Sequence, residues 1–256
     1  MRRGKLSIQN YPVTLIANHH LVSDFYLATF DYQGPEPKPG QFINLAVEPF
    51  FLKRPFAVFD YKENQLNILY KVVGEGTKHL STWSTGHKTE VLGILGNFFT
   101  RPQGKAVLVG GGTGIASLYY FSRTFDKDLT IILGVNHKEE ALVFENLFEE
   151  IGAEVKISTL DGSHGFKGNA VDYTLDLLKN ENDFTLYACG PHGMLNAFNE
   201  KINNKELSPH KTWVSLEGRM GCGFGACLGC AVETIHDEFY YVCKDGPIFD
   251  MNVIKW

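Results

Sequence analysis

The most constraining feature of this sequence is a run of cysteines and glycines near its carboxyl end. Cys222, Cys227 and Cys230 are followed by Cys243, which gives the spacing C-x4-C-x2-C-x12-C. Four thiolates can hold a compact anionic cluster, and the glycines between them let backbone N–H groups approach the sulfur atoms. C-x4-C-x2-C with a later fourth cysteine is the spacing of plant-type [2Fe–2S] sites. The sequence therefore predicts a [2Fe–2S] cluster on these four residues.

Two other interpretations of the same cysteines are open at this point. A structural zinc ion usually takes its four cysteines from two separated C-x2-C pairs, whereas three of these four share one loop. Disulfide bonds are typical of proteins exported to an oxidising compartment, and no apolar leader segment follows the amino terminus. Neither alternative explains the spacing as well as an iron–sulfur cluster does.

Charge and hydropathy exclude several functional classes. The chain has 256 residues and a formal net charge of −5, so no basic surface for nucleic acid is expected. No apolar run reaches the roughly 18 residues that a membrane-spanning helix requires. We therefore expect a cytoplasmic protein that contacts neither membrane nor nucleic acid.

Changes in residue pattern divide the chain into three predicted domains, at residues 1–100, 101–212 and 213–256. The first contains short runs of β-branched and aromatic residues, at 11–17, 24–30 and 41–47, which predict an antiparallel β-barrel. The second alternates strand-like and helix-like segments. The third is small and rich in glycine and cysteine.

Two stretches of the first domain suggest a ligand with an anionic end. Arg54, Pro55, Phe56 and Ala57 place a cation beside a proline-fixed turn in an apolar run. The segment from Leu69 through Tyr70 and Lys71 leads into a turn with Gly74, Gly76 and Thr77, where N–H groups and a hydroxyl could meet a phosphate. Taken singly, each stretch is an ordinary surface charge or tight turn. Taken together, they resemble the two ends of one binding site.

The second domain contains two strand–turn–helix segments. A buried-type strand at 105–109 runs into the glycine turn that contains Gly111, Gly112, Thr113 and Gly114, which is typical of a pyrophosphate site. The glycines do not match G-x-G-x-x-G, and no acidic residue stands about 20 residues on. The other segment contains Cys189, Gly190 and Pro191. No relay of acid and histidine accompanies Cys189, so a buried structural thiol is the simpler interpretation.

The order of these features resembles the ferredoxin-reductase-like flavoproteins. The carboxyl-terminal segments Ser215-Leu-Glu-Gly-Arg-Met-Gly-Cys and Val242-Cys-Lys-Asp-Gly-Pro narrow the resemblance to the electron-transfer subunits of NAD-dependent dihydroorotate dehydrogenase. The resemblance implies a multi-domain α+β fold with an antiparallel β-barrel FAD domain, a Rossmann-like α/β NAD domain and a small carboxyl-terminal [2Fe–2S] domain.

The resemblance also assigns residues to cofactors. It implies that FAD is bound by Arg54, Pro55, Phe56, Ala57, Leu69, Tyr70, Lys71, Gly76 and Thr77. It implies that NAD is bound by Gly111, Gly112, Thr113, Gly114, Cys189, Gly190 and Pro191. Ala57 replaces a usual hydroxyl residue, Ser117 replaces a common proline, and Asn97 begins a less glycine-rich turn.

The implied function is electron transfer from an FMN-containing dihydroorotate dehydrogenase subunit, through [2Fe–2S] and FAD, to NAD+. A heterotetramer of two plus two subunits is expected, and no catalytic acid or base is expected in this chain. Two alternatives are kept. One is a flavin/[2Fe–2S] reductase subunit of another complex, of the ferredoxin transhydrogenase or sulfhydrogenase type. The other is a zinc-ribbon interaction module on an inactive flavodomain.

Overall fold

The described part of the chain folds around two seven-stranded β-sheets and one short β-hairpin. The computed structural model describes residues 8–100, 102, 104–125 and 129–256. Residues 1–7, on which the expectation about a leader segment partly rests, lie outside these ranges. No helix in the ranges described is long and apolar enough to cross a membrane. The predicted fold class, an antiparallel domain followed by a Rossmann-like domain, is confirmed by the sheet topology.

The first sheet is antiparallel throughout and follows the order β4-β3-β7-β1-β2-β6-β5. Its strands are β1 (Gln9–Val22), β2 (Phe25–Tyr32), β3 (Phe42–Leu45), β4 (Arg54–Ala57), β5 (Asp60–Lys62), β6 (Gln65–Lys71) and β7 (Lys88–Leu95). The sheet curves until β4 lies beside β6. Alternate residues such as Ala28, Phe30 and Tyr32 are fully buried inside it, as the period-2 pattern predicts. Helix α1 (Glu75–Leu80) follows β6 at the open end.

The second sheet has six parallel strands and one antiparallel edge strand, in the order β11-β10-β9-β8-β12-β13-β16. These strands are β8 (Ala106–Gly111), β9 (Leu129–Val135), β10 (Val155–Thr159), β11 (Phe166–Lys167), β12 (Thr185–Cys189), β13 (Lys211–Ser215) and β16 (Ile248–Asp250). The helices between them are α2 (Ile115–Thr124), α3 (Lys138–Glu149), α4 (Ala170–Leu178) and α5 (His192–Asn203). The central order reproduces the 3-2-1-4-5 arrangement of doubly wound nucleotide-binding folds.

Helices cover both faces of the parallel sheet, which explains why its central strands are apolar runs rather than alternating ones. All six residues of β8 are buried. One face packs against α4 and α5 through residues such as Phe198. The other face packs against α2 and α3, and barrel residues including Phe25 and Phe59 join that cluster. The barrel keeps its own interior core, and these residues pack it against one face of the parallel sheet.

The carboxyl-terminal segment leaves the parallel sheet and returns to it. The chain leaves β13, forms the hairpin of β14 (Ala231–Glu233) and β15 (Phe239–Tyr241), and comes back as β16, antiparallel to β13. The domain boundary predicted between residues 212 and 213 falls inside β13. The cysteine loop is thus held at its two ends by neighbouring strands of one sheet.

Asn97 connects the end of the barrel to the returning segment. Its Nδ2 donates hydrogen bonds to the carbonyl oxygens of Asp245 at 3.0 Å and Ile248 at 2.8 Å. Its Oδ1 accepts from the Ile248 N–H at 2.9 Å. The sequence identified Asn97 only as a departure from a glycine-rich turn. The structure gives it three side-chain bonds that attach β16 to the barrel.

We expect Asn97→Ala to lower the free energy of unfolding by about 2 kcal/mol, because it removes two partly buried hydrogen bonds and one exposed one. Urea denaturation followed by circular dichroism would measure this loss. Asn252→Ala, at an exposed asparagine, is the matched control and should change stability by less than about 0.5 kcal/mol. Equal stability of the two variants would contradict the role given to Asn97.

Candidate functional site

The larger cavity lies where the barrel, the parallel sheet and the carboxyl-terminal segment meet. Its volume is about 540 Å³, within the roughly 300–1,000 Å³ of small-molecule sites. Nine residues predicted to hold FAD line it: Arg54, Pro55, Phe56, Ala57, Leu69, Tyr70, Lys71, Gly76 and Thr77. Four residues predicted to face NAD line the same cavity: Thr113, Gly114, Cys189 and Gly190. The structure therefore brings segments of the first and second predicted domains to one site.

Arg54 and Gly76, at the two ends of the predicted phosphate site, are in direct contact. A Cβ atom on Gly76 would lie 2.6 Å from the Arg54 Nε atom. The guanidinium group also lies 4.9 Å from the centre of the Phe50 ring. Arg54 forms no ion pair with a carboxylate in the part of the chain that the structure describes. Its charge is available to an anionic group such as a phosphate.

The Thr77 hydroxyl is engaged within its own turn. It accepts hydrogen bonds from the N–H groups of Val73 at 3.0 Å and Gly74 at 3.2 Å, and it donates to the Gly74 carbonyl at 3.0 Å. These bonds fix the turn at the start of α1. The hydroxyl thereby shapes the backbone around Gly76, and its contact with a phosphate stays a prediction.

A second cavity of about 290 Å³ opens beside the first at the carboxyl ends of β8 and β9. The remaining predicted NAD residues, Gly111, Gly112 and Pro191, line it. Lys71 lines both cavities. Two ligands bound in these cavities would therefore approach each other near Lys71.

The glycine turns after β8 and β12 meet because these strands are parallel neighbours, with Cys189 opposite Gly110. A Cβ atom on Gly114 would lie 2.1 Å from the Cys189 carbonyl oxygen, so only glycine permits this approach. The strand order changes direction between β8 and β12. Ligands of doubly wound folds bind at such a switch point.

Glu140 is an acidic residue of the second cavity that the sequence spacing did not identify. It lies in the first turn of α3, is 2 % exposed and lines the second cavity. Its Oε2 atom accepts hydrogen bonds from the Asn136 backbone N–H at 3.0 Å and Nδ2 at 3.1 Å. The expected spacing of about 20 residues missed it because it lies beyond the end of β9, in the first turn of the following helix.

Cys189 lies between the two glycine turns and is 1 % exposed. Burial raises the pKa of its thiol to about 12. A neutral, buried thiol is a poor nucleophile. The structure thus agrees with a structural rather than a catalytic Cys189.

Glu217 is a site residue that sequence reasoning missed. It lines the larger cavity, and its Oε1 atom accepts a hydrogen bond from the Thr113 hydroxyl at 3.1 Å. The bond joins the glycine turn after β8 to the segment that leads into the cysteines. Its only sequence signal is that it is the one carboxylate between β13 and Cys222.

The four cysteines of the carboxyl-terminal loop form two pairs. Cys222 and Cys227 exchange contacts, since each backbone N–H donates to the other sulfur, at 3.4 and 3.3 Å. The sulfur atoms of Cys230 and Cys243 lie 3.3 Å apart, and the Cys243 N–H donates to the Cys230 sulfur at 3.4 Å. In a [2Fe–2S] cluster bound by four cysteines each iron takes two of them. The paired arrangement fits such a cluster.

The same geometry bears on the two alternatives. All five cysteines are free thiols, and 3.3 Å is far longer than the about 2.05 Å of a disulfide bond. A structural zinc site needs four ligands around one point, whereas each iron of a [2Fe–2S] cluster takes two cysteines, which the two pairs match.

The backbone around Cys222 stabilises a negative sulfur. Burial raises the pKa of this thiol, but N–H groups of Cys227, Phe224 and Ala226 outweigh it and bring the pKa to about 6. The Phe224 and Ala226 N–H groups lie 3.5 and 3.2 Å from the sulfur. Cysteines bind metals as thiolates, so the backbone of this loop favours the form of Cys222 that binds iron.

The cysteine loop also reaches the larger cavity. Glu217, Gly218 and Met220 line it, and only Gly221 separates Met220 from Cys222. Cys227 is exposed on the other side of the loop, whereas Cys230 and Cys243 are each 4 % exposed. The loop therefore lies between the cavity and the protein surface.

Comparison with known proteins agrees with this arrangement. Residues 217–255 match the iron–sulfur cluster binding domain of dihydroorotate dehydrogenase B. An NADH-dependent reduced ferredoxin–NADP oxidoreductase, studied for flavin-based electron bifurcation, superposes with a TM-score of 0.82 at 30% identity, covering 95% of this chain and 89% of that one. A cytochrome P450 reductase from Amycolatopsis has the same fold, with a TM-score of 0.69 at 20% identity, covering 80% and 70%.

These structures define the class of the protein as ferredoxin-reductase-like. The dihydroorotate dehydrogenase B (NAD(+)) electron transfer subunit of Caldanaerobacter subterraneus is 40% identical over 240 residues, which cover 92% of this chain and 94% of the relative. The chain belongs to the family of electron transfer subunits of dihydroorotate dehydrogenase B, as the resemblance in its sequence indicated.

We expect Gly76→Ala to weaken FAD binding about 10-fold or more. The new methyl group would displace the Arg54 guanidinium, and a charge-assisted hydrogen bond is worth about 1.5–3 kcal/mol. Fluorescence titration of the flavin-free protein with FAD would measure the dissociation constant. In the control Gly193→Ala the added methyl group meets nothing within 4 Å. An unchanged FAD affinity in Gly76→Ala would contradict the role given to the contact between Gly76 and Arg54.

We expect Cys227→Ser to lose most of its iron and acid-labile sulfide while it retains FAD, because one of the two cysteine pairs is broken. Chemical iron and sulfide assays and the visible spectrum would show the loss. Cys189→Ser, which changes the one cysteine outside the pairs, should keep its iron. Full iron content in Cys227→Ser would remove Cys227 from the ligand set.

Proposed function

We propose that this chain carries electrons from an FMN-containing subunit that oxidises dihydroorotate to the nicotinamide of NAD+. In this proposal a [2Fe–2S] cluster is bound by Cys222, Cys227, Cys230 and Cys243, FAD occupies the larger cavity and NAD+ occupies the smaller one. The observation that carries the proposal is that all three parts of the chain line the larger cavity, with Met220 beside the first cysteine.

The three cofactors together convert single electrons into hydride, since a [2Fe–2S] cluster exchanges one electron, nicotinamide takes two as hydride, and a flavin does both. The protein's task is then to hold the groups close together and to exclude water. No residue is required to move a proton as a general acid or base. The neutral thiol of Cys189 is compatible with such a purely positional role.

Several side chains would bind and orient the flavin. Arg54 would meet its phosphates, together with the backbone at Gly76. Phe56, Ala57 and Leu69 supply apolar contact along the cavity wall. Ala57 has no hydroxyl, so one neutral hydrogen bond worth about 1 kcal/mol is absent there.

Binding of NAD+ rather than NADP+ is supported by the charges at the smaller cavity. Gly111 and Gly112 would leave room for the pyrophosphate. Glu140 adds a carboxylate to the cavity wall, which disfavours the additional phosphate of NADP+. The segment after β9 contributes Lys138 but no arginine.

We place the partner subunit against the outer side of the cysteine loop. Phe224 and Leu228 are 48 % and 53 % exposed, on either side of the exposed Cys227. Exposed apolar side chains of this kind typify protein–protein contacts. The names of the relatives describe electron transfer subunits, which implies a separate catalytic subunit. The FMN of that subunit and a two-plus-two stoichiometry are parts of the proposal.

The proposal also assigns one cofactor to each of the three predicted domains, at residues 1–100, 101–212 and 213–256. The first segment would bind FAD and the second NAD+. The cluster would be held by the loop between β13 and β16, which lies within the third segment.

A reductase subunit of another complex is the second candidate, because the reduced ferredoxin–NADP oxidoreductase matches 95% of the chain at 30% identity. Both candidates use the same cavities. They differ in the partner that contacts the cysteine loop and in the electron donor.

Co-purification from the native host, followed by two assays, tests the proposal. We expect the complex to reduce NAD+ when dihydroorotate is added, and Cys227→Ser to abolish this while an artificial dye still accepts electrons from dihydroorotate. Loss of both reactions in Cys227→Ser would place the defect in assembly rather than in electron transfer. NADP+ reduction by reduced ferredoxin, without a response to dihydroorotate, would favour the second candidate.

A further inference from the structure

Asn44 is a buried amide for which the described part of the chain supplies no hydrogen-bond partner. It lies in β3, is 1 % exposed, and neither Nδ2 nor Oδ1 has a partner there. Burying an unpaired amide is unfavourable, so nearly all buried polar groups have partners in native proteins. The Asn44 amide therefore needs a hydrogen-bond partner that the described polypeptide does not provide.

The Asn44 side chain lies directly against the cysteine loop. A Cβ atom on Gly223 would lie 2.2 Å from Asn44 Nδ2 and 3.2 Å from Asn44 Cγ. Gly223 follows Cys222 and has a φ of +79°, so both its conformation and its contact with Asn44 favour glycine. The amide consequently reaches the loop from the barrel side, next to the first cysteine.

The loop itself surrounds the Cys222 sulfur with donors. The N–H groups of Phe224, Ala226 and Cys227 lie 3.2–3.5 Å from this sulfur. All three donors come from the loop backbone. Hydrogen bonds to cluster sulfur atoms help to set the reduction potential, because they stabilise the additional negative charge of the reduced cluster.

Asn44 is also connected to the larger cavity. It is paired in register with Pro55 across β3 and β4, and Pro55 lines that cavity. Directly opposite residues of an antiparallel pair project from the same face of the sheet. Asn44 thus contacts the cysteine loop and is paired with a residue of the cavity wall.

We propose that Asn44 is a positioning residue for the [2Fe–2S] cluster, whose Nδ2 amide donates a hydrogen bond to sulfur on the Cys222 side and raises the reduction potential of the cluster. The inference rests on the proposed function, since it requires the cluster. The barrel then contributes to the cluster as well as to the flavin. A donor there favours arrival of an electron at the cluster, because it stabilises the reduced state.

Asn44→Leu and Asn44→Asp test the inference in the purified complex. Leucine has a similar volume but no polar atoms, and aspartate keeps the shape but replaces the N–H donor with oxygen. We expect both to shift the cluster midpoint potential to more negative values, and to alter its electron paramagnetic resonance spectrum, at unchanged iron content. Redox titration monitored by that spectrum measures the shift. Asn67→Leu is the control, because it breaks a barrel hydrogen bond from the Thr29 hydroxyl without touching the loop or the residues assigned to FAD.

A wild-type potential and spectrum in both iron-loaded variants, or a shift to more positive values, would overturn the role of Asn44 and leave the proposed function intact. Absence of a cluster from the wild-type protein would instead overturn the proposed function. If the variants lose iron, the melting temperature of the iron-free Asn44→Leu chain is compared with that of the iron-free wild-type chain. An equal or higher melting temperature in the variant supports the inference, because the fold without the cluster does not depend on the amide. A lower melting temperature shows that Asn44 stabilises the fold itself, and the inference fails.

Discussion

The site depends on how the cysteine loop is anchored. The loop leaves β13 and returns as β16, and these two strands pair directly in the parallel-rich sheet. A long loop whose ends are fixed side by side has fewer conformations to lose when it orders. Asn97 then joins the returning strand to the barrel by three hydrogen bonds. These contacts hold the loop against the cavity that the barrel and the sheet enclose.

Two parts of the site stabilise negative charge, each with a different kind of group. The cysteine loop presents backbone N–H groups to sulfur, and the barrel presents Arg54 to the larger cavity. Glu217 also lines the larger cavity and accepts a hydrogen bond from the Thr113 hydroxyl. The protein thus stabilises anionic sulfur in the loop and an anionic ligand in the cavity. Cys189, buried in the cavity wall, remains a neutral thiol.

The features that the sequence predicted are local ones. The cysteine spacing, the glycine turns after β8 and β12, and the turn before α1 can be read from a few neighbouring residues each. Glu140, Glu217, Asn97 and Asn44 could not be identified in this way. Each is a single polar residue without a repeating pattern, and its importance arises from contacts with segments distant in sequence. The family resemblance implied a shared flavin and nicotinamide site, but it did not specify these contacts.

The sequence by itself determined which chemistry the chain can support, because ligand type and spacing select an iron–sulfur cluster and glycine turns select nucleotide ligands. It also determined the two kinds of sheet, since alternating and continuous apolar runs have different periods. Only the tertiary structure decided that the two cavities adjoin at Lys71, that the four cysteines divide into two pairs, and that a barrel asparagine lies against the cysteine loop. These are relations between distant segments, and they are fixed by sheet order and shared packing rather than by any local pattern.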